Sequence, residues 1–479
     1  MPRRSAEVVG AKAGSGFDDT RENGMRTQIR FTVCVIAAAA AWAVGARANA
    51  PHVYAVRGAR LVTAAGPPIA GGTIVIRNGV IEAVGADVQA PADAIAIDGA
   101  GMTVYPGLID MGNATGLDVE TNPAPSGQFP TTEDAERWKR SNIFRPQIQA
   151  ADHLQADSLE LSRLAAVGVT TVLATPPGSL VRGQSALVNV SAGADDPQIG
   201  AVADVRKGLQ VVRTPVALHV AMHASAGRGG YPGSLMGNIA FVRQHFIDAQ
   251  HQQLARQHYE RAKTGGGRPG YDASLEALQP ALARRMPVAF EADLAREIRR
   301  SLAMAKEFNL DPIITSAREA DQVVDDLKAR SARVIYSLNY PARSRALAPD
   351  ADEPLRTLRA RAQAPKTPAA LEKAGVPFAF SSDGLREARD FVRNAARAVK
   401  EGLSPDAAVR ALTIDAARIA GADARLGSLE RGKIANVIVT EGDLFEDSTR
   451  VRHVFIDGRL VDIDMTPPPG GRGRGRGGS

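Results

Sequence analysis

The sequence predicts an α/β protein in which a (β/α)8 TIM-like barrel carries a small composite β-sandwich formed from both ends of the chain. Three observations support this fold class. Hairpin patterns lie near both ends of the chain, strand-like and helix-like runs alternate between them, and 479 residues suit a large barrel with a smaller satellite. One sandwich interrupted by a barrel is the most economical arrangement of these segments.

Two short turn motifs indicate the hairpins of the sandwich. Apolar runs of strand length lie on both sides of Asn78-Gly79 and of Asp457-Gly458. Both pairs favour the type I′ turn of a tight hairpin, because its two central residues need a positive φ. The predicted parts of the sandwich are residues 49–105 and 425–465.

Residues 106–424 are predicted to form the barrel. Six apolar runs in this part have the length of buried parallel strands. They are residues 169–173, 216–220, 288–291, 312–315, 334–336 and 378–380. Amphipathic helices are expected at 293–308 and 391–400, and a further helix should begin at Pro405 with Ser404 as its N-cap.

An insertion at residues 224–274 interrupts the alternation with glycine-rich stretches and a polar helix. Insertions of this kind belong on the loop face of a barrel, where substrates enter. His245, His251 and His258 are spread along the polar helix, and we expect these three side chains to face solvent.

The first 48 residues are typical of an N-terminal extension with a signal peptide. Arg26 and Arg30 precede an apolar run at 31–45, and small residues flank Arg47 at a cleavage site ending at Ala48. This pattern predicts an exported protein, periplasmic or secreted, without stable membrane insertion after cleavage. An uncleaved membrane anchor is the alternative interpretation.

Two details refine the prediction of export. Met25 is an alternative start of translation, because the residues before it are polar. The one cysteine, Cys34, lies inside the predicted signal. The mature chain would then have no disulfide, no thiolate zinc site and no cysteine nucleophile.

The positive charge of the chain is concentrated outside the predicted domains. The formal net charge is +6, of which three charges precede residue 49 and three come from Arg472, Arg474 and Arg476. These arginines lie in a Gly/Arg/Pro tail, residues 466–479, that is expected to be disordered. A nearly neutral body predicts no nucleic-acid partner.

Three segments carry a resemblance to a known family. Gly101–Asp110 reads GMTVYPGLID, Ala411–Arg418 reads ALTIDAAR, and Leu426–Val439 reads LGSLERGKIANVIV. In this order they resemble the amidohydrolase superfamily, and most closely its secreted branch near the imidazolonepropionases. The resemblance implies a hydrolase of C–N bonds in cyclic amides, ureas or dipeptides that uses a divalent metal such as zinc.

The positions that would bind the metal depart from the family pattern. In the family, a His-x-His pair follows the Pro-Gly-Leu-Ile-Asp run, with both side chains on one face of a strand. Here Gly112 and Ala114 occupy these positions and offer no donor atom. Ser316 stands where a sixth-strand histidine is expected, and the fifth strand ends at Glu291. The sequence therefore predicts no metal ligands and no cofactor.

Asp383 and Glu291 are the candidate catalytic residues. Asp383 matches the eighth-strand aspartate of the family, although it could instead cap the helix that follows it. Glu291 could instead belong to an ion pair at the barrel rim, since Asp293 and Arg296 are near in sequence.

The other histidines are not expected to form a metal site. His219 and His223 lie where a strand runs into a loop, about 13 Å apart at roughly 3.3 Å per residue. That separation excludes a shared metal ion.

Three functional hypotheses follow from these observations. The first is a metal-depleted amidohydrolase-superfamily protein, a pseudoenzyme that binds a small molecule or short peptide with weak or no classical catalysis. The second is an active hydrolase with a rearranged site that uses Asp383 and Glu291. The third is a non-catalytic subunit of an intact relative, and both homo- and hetero-oligomers remain open.

Overall fold

The computed structural model describes most of the second of two compact units, His52–Ser479. The described residues are 53–114, 116–120, 129–155, 159–192, 204–206, 209–223, 231–262, 267–344, 346–348, 350–461 and 463. The predicted signal peptide at 1–48, with Cys34, and the predicted tail at 466–479 lie outside them. Within the described part, no helix is both long and apolar enough to cross a membrane.

Nineteen strands are found in the described part of the chain. They are β1 Tyr54–Leu61, β2 Ile69–Arg77, β3 Val80–Gly85, β4 Ile95–Asp98, β5 Met102–Pro106, β6 Leu108–Asn113, β7 Val169–Ala174, β8 Val181–Gln184, β9 Ala186–Ala192, β10 Asp204–Arg206, β11 Leu209–Arg213, β12 Leu218–Val220, β13 Val288–Ala292, β14 Pro312–Ser316, β15 Arg333–Ser337, β16 Phe378–Ser381, β17 Val437–Glu441, β18 Arg450–Ile456 and β19 Arg459–Val461.

Twelve α-helices are found in the same residues. They are α1 Thr132–Ile143, α2 Leu159–Ala166, α3 Leu235–Ala262, α4 Ala273–Glu276, α5 Gln279–Leu282, α6 Ala295–Glu307, α7 Val324–Ala329, α8 Leu355–Gln363, α9 Thr367–Ala374, α10 Arg389–Lys400, α11 Pro405–Leu412 and α12 Ile414–Ala420. Short 3₁₀ helices lie at Ala150–His153, Ala320–Val323 and Ala364–Lys366.

One eight-stranded sheet combines strands from both ends of the described chain. Its order is β19-β18-β17-β5-β1-β2-β3, with β4 paired to β1. The two halves meet where β5 pairs antiparallel with β17. Both predicted hairpins are present, and their turn residues have positive φ: 50° at Asn78, 81° at Gly79, 53° at Asp457 and 74° at Gly458. Local turn chemistry therefore fixes both hairpins, as the sequence predicts.

The middle of the chain forms two mixed sheets. The five-stranded sheet has the order β10-β11-β9-β7-β6, and the six-stranded sheet has the order β16-β15-β14-β13-β12-β8. Strands β12 to β16 are parallel to one another, whereas β8 is antiparallel to β12. The α/β class predicted from the sequence is therefore confirmed, with mixed sheets.

An apolar cluster lies inside these strands. It receives buried side chains from both mixed sheets and from α12. Among its members are Ile109, Leu173, Leu187, Ala289, Ile313, Ile335 and Ala379. The alternate side chains of a strand point to opposite faces, so the residues next to these pack outward against the helices. The ends of the same strands carry the polar groups of the candidate site.

Two helices in the middle of the chain show how the sequence determines where a helix begins. Helix α11 begins at Pro405, and the Ser404 hydroxyl accepts a hydrogen bond from the Ala407 amide, as predicted. Helix α6 begins at Ala295, where the Glu297 carboxylate accepts hydrogen bonds from the Asp293 and Leu294 amides. Charged first-turn residues of this kind satisfy amides that have no partner within the helix.

The prediction for His245 is wrong. Its side chain is only 6% exposed, its ring stacks against Phe144 and Phe241, and its Nδ1 lies 2.8 Å from the Phe241 carbonyl oxygen. The polar residues around His245 in the sequence predict a surface position, but Phe144 and Phe241 bury its ring. His251 and His258 are exposed, as expected.

Candidate functional site

Asp110 is a buried carboxylate at the junction of the two mixed sheets. It ends the Pro-Gly-Leu-Ile-Asp run on β6 and accepts hydrogen bonds from the backbone amide of Ser382 at 2.8 Å and its hydroxyl at 2.5 Å. Asn113 donates to it at 2.8 Å and the Gly112 amide at 3.3 Å. Burial raises the pKa of Asp110 to about 6 despite these donors. Together these four hydrogen bonds fix the carboxylate between β6 and the residue after β16. This arrangement indicates a structural role for Asp110.

The two positions that correspond to the family's metal-binding pair carry no donors. Gly112 is half-buried, and a Cβ placed on it would lie 3.7 Å from the Ser381 Cβ and 3.8 Å from the Thr175 hydroxyl. Ala114 is exposed. The neighbouring atoms leave space for a Cβ at Gly112, but its φ of 158° is a backbone conformation that favours glycine.

Glu291 is held between two basic side chains. One carboxylate oxygen lies 2.5 Å from Nη2 of Arg182, and the other lies 3.3 Å from Nε2 of His223. Burial raises the pKa of Glu291, but the hydrogen bond from His223 and the charge of Arg182 outweigh burial, so the net shift is downward. The hydrogen bond to Glu291 in turn raises the pKa of His223. Glu291 is thus an ionised member of an ion-pair cluster.

The strand register explains why these side chains meet. Parallel pairing of β12 with β13 sets His219 beside Ala289, and Glu291 lies two residues further along the same face. Strand β8 pairs antiparallel with β12, with Gly183 opposite His219, which brings Arg182 to the same end. We call the four side chains Arg182, His219, His223 and Glu291 the strand-end cluster.

His219 is the buried member of the strand-end cluster. Its side chain is 6% exposed, and its Nε2 has no hydrogen-bond partner among the described residues. Burial and the charge of Arg182 together lower the pKa of His219 to about 3, against the opposing effect of the charge of Glu291. The imidazole is therefore neutral at physiological pH.

Asp383 lies two residues after the end of β16, and it is exposed. Desolvation raises the pKa of its carboxyl, and the charge of Glu291 raises it further. The alternative of a helix cap is wrong: α10 begins at Arg389, and its N-cap residue is Ala388. Gly384, with φ of 81°, and a turn hydrogen bond from the Leu385 amide to the Ser382 carbonyl separate Asp383 from that helix.

The structure brings Asp383 and Glu291 within electrostatic range of each other, and it adds Arg182 and His223, which sequence reasoning did not select. The ion-pair interpretation of Glu291 is correct in kind, but its partners are Arg182 and His223 and not the nearby Arg296. The available signal was the Arg182-Gly183-Gln184 segment, which lies on β8. The pairings of Glu291 with Arg182 and with His223 were not predictable from spacing, since both partners are far from Glu291 in the chain.

The donor set does not suit a catalytic divalent metal. Glu291 is neutralised by Arg182, Asp110 is saturated with donors, and Gly112 has no side chain. Across the described ranges, no three His, Cys, Asp or Glu side chains are grouped so as to hold a metal ion. A zinc site with catalytic activity normally needs three protein ligands. We therefore derive no metal-dependent step for these residues.

Comparison with known proteins agrees with the family resemblance. Residues 324–461 match the model of the amidohydrolase family. An amidohydrolase from Thermotoga maritima superposes with a TM-score of 0.68 at 22% identity, covering 85% of this chain and 99% of that chain. A Xaa-Pro dipeptidase with methionine bound in its active site has a TM-score of 0.51 at 17% identity, covering 86% and 100%. A search of curated sequences finds no match.

These matches confirm the resemblance to the amidohydrolase superfamily that the three motifs indicate. The fold of the solved neighbours implies a TIM-like barrel for the middle of the chain. In such barrels, functional side chains lie at the carboxyl ends of the parallel strands, which is where the strand-end cluster and Asp383 lie.

Proposed function

We propose that this chain is an exported amidohydrolase-superfamily protein that binds a small molecule or short peptide and has little or no metal-dependent hydrolytic activity. The binding site is the carboxyl end of the parallel strands, around Arg182, Glu291 and Asp383. In this proposal, β6, β7, β9 and β12 to β16 form the closed barrel, and the eight-stranded sheet belongs to the composite sandwich.

The observation that carries the proposal is the pairing of Glu291 with Arg182 and His223. A carboxylate that binds a metal must present its lone pairs to the cation, and here both oxygens face basic side chains. A guanidinium in contact with that carboxylate also repels a divalent cation. Together with Gly112 and Ala114, this pairing leaves too few ligands for the activation of a water molecule.

The experiment compares turnover with and without metal. Purified protein is incubated with zinc, manganese or iron and assayed on dipeptides and cyclic ureas. The proposal predicts no turnover above that of the matched Asp383→Asn variant under any condition. Robust turnover that a chelator abolishes would refute the metal-depleted function.

A second candidate function is a hydrolase with rearranged machinery, and the opposite pKa shifts of two carboxyls favour it. The pKa of Asp383 is raised, whereas that of Glu291 is lowered. Paired carboxyls with separated pKa values can act as acid and base. This function predicts that Asp383→Asn abolishes a metal-independent activity while the protein remains folded. An activity that survives Asp383→Asn excludes this second candidate.

A further inference from the structure

We propose that Arg182 and His219 form a recognition site for the carboxylate group of a small organic ligand. This inference rests on the proposed binding function and names the chemical class of its ligand. It assigns a role to two nitrogen atoms, Nε of Arg182 and Nε2 of His219, that the ion pair of Glu291 does not use.

Two buried nitrogen atoms of the strand-end cluster have no hydrogen-bond partner in the part of the chain that the structure describes. Arg182 uses Nη2 to contact Glu291, but its Nε is buried and makes no hydrogen bond within the described residues. The same holds for Nε2 of His219. Both side chains come from the paired strands β8 and β12, and the charge of Arg182 acts on His219.

Unpartnered buried donors are uncommon in folded proteins, because burial removes them from water without replacing the lost hydrogen bonds. Buried polar atoms of this kind are usually satisfied by a ligand or an ordered water. Here two of them lie in one cluster at the strand ends. This is the face on which barrel proteins bind their ligands.

The chemistry of the two donors selects a carboxylate. The Nε–H of arginine always donates, and a neutral histidine in its Nε2–H form donates as well. One carboxylate has two oxygens and can accept from both groups. A carboxylate forms stronger hydrogen bonds with a guanidinium than an amide oxygen does, because hydrogen bonds between ionised groups are stronger.

Three members of the cluster are partly exposed. The side chain of Arg182 is 19% exposed, that of Glu291 is 22% exposed and that of His223 is 31% exposed, whereas His219 is buried beneath them. A ligand would therefore approach past His223 with its carboxylate leading. The negative charge of Glu291 is already paired with the guanidinium of Arg182, so it does not exclude an anion from the site.

The test is binding measured by calorimetry with the purified full chain in a buffer that contains a chelator. The probes are benzoate and N-acetylalanine, each compared with its neutral amide, and inorganic phosphate. The inference predicts saturable binding of the carboxylates that is roughly tenfold or more tighter than that of the amides and of phosphate.

Matched variants locate the binding. Arg182→Gln should weaken carboxylate binding about tenfold, whereas Arg333→Gln removes another half-buried ion pair, with Asp311, and should leave binding unchanged. The effect of His219→Gln on carboxylate binding is compared with that of His245→Gln, because both histidines are 6% exposed. If Arg182→Gln does not fold, Arg182→Lys keeps a positive charge but loses the planar donor group, and it should weaken binding too.

Several results would overturn the inference. These are equal binding of carboxylates and amides, tighter binding of phosphate, no saturable binding of any carboxylate, and equal effects of Arg182→Gln and Arg333→Gln. The chelator removes metals, and binding needs no turnover. The result of the calorimetry can therefore be distinguished from the result of the hydrolysis assay. Metal-dependent turnover would refute the proposed function without bearing on the calorimetry.

Discussion

Asn189 donates a 2.6 Å hydrogen bond from its side-chain amide to the Asp457 carboxylate, joining β9 to the turn of the last hairpin across 268 residues of sequence. Asn436 donates to the Asn189 carbonyl oxygen at 2.9 Å and to the Thr171 hydroxyl at 3.0 Å. The side-chain carbonyl oxygen of Asn436 accepts a hydrogen bond from the backbone amide of Asp457. This buried polar network connects the five-stranded sheet to the eight-stranded sheet.

We expect Asn189→Ala to lower the free energy of unfolding by about 1–3 kcal/mol, because buried partners lose their hydrogen bonds. Urea denaturation followed by circular dichroism measures the change. The control is Asn142→Ala on α1, a partly exposed asparagine that donates one hydrogen bond to the Trp138 carbonyl. An equal loss in both variants would show that the network contributes no more than a surface contact.

The stability of the protein should fall as pH rises through about 6. Burial raises the pKa of both Asp110 and Asp457 to about 6. In the unfolded chain both pKa values are near 4, so folding favours the protonated forms. This contribution is fully present below about pH 4 and is lost as pH rises through the folded pKa values.

Denaturation midpoints between pH 4 and 8 test this dependence, with Asp457→Asn as the diagnostic variant. That substitution removes one of the two ionisations and should flatten the decline. An unchanged pH profile in the variant would show that Asp457 does not titrate in this range.

Asp110→Ala should destabilise the protein by roughly 2–4 kcal/mol, because the amide and hydroxyl of Ser382 and the amide of Asn113 lose a buried acceptor. Asp110→Asn keeps the volume and one acceptor oxygen, so its effect should be smaller. Thermal unfolding of the two variants gives the comparison. If the asparagine variant were the less stable one, negative charge at this position would be essential to the fold.

The apolar cluster inside the strands should be sensitive to truncation. Ile335→Ala is expected to cost about 2–5 kcal/mol, because it removes a buried side chain and leaves a cavity. Ile95 on β4 is 54% exposed, and Ile95→Ala should change stability by about 0.5 kcal/mol or less. Chemical denaturation of both variants makes the comparison, and equal losses would place Ile335 outside a packed core.

The features that depend on local chemistry were predictable from the sequence. The Asn78-Gly79 and Asp457-Gly458 turns and the Ser404 cap each depend on residues close together in the chain, and each is found as predicted. The apolar runs that form β13 to β16 were recognisable for the same reason.

The site was only partly predictable, because tertiary contacts determine it. Glu291 was selected, but its partner Arg182 comes from a distant strand. His245 was expected in solvent, and Phe144, from another helix end, buries it. Asp383 does not cap the helix that follows it, because that helix begins at Arg389 and Gly384 adopts a left-handed conformation before it. Spacing along a sequence does not encode contacts of these kinds.

Restoring donors at the two family positions tests whether their loss prevents metal binding. The double variant Gly112→His with Ala114→His supplies the missing pair; the space around Gly112 admits a Cβ, and its φ of 158° requires a local backbone adjustment, so folding of the variant is checked by circular dichroism. We expect zinc to bind this variant at least about tenfold more tightly than the native chain, as measured by competition with a chromophoric chelator. Equal affinities would show that these two positions do not control metal binding.

The central claim is that the native strand ends do not hold a catalytic metal ion. Elemental analysis of protein purified with supplied zinc, after removal of unbound metal, tests it most directly. The account predicts far less than one zinc per chain and no change in stability on addition of chelator. One tightly held zinc per chain, lost together with hydrolytic activity on chelation, would contradict it.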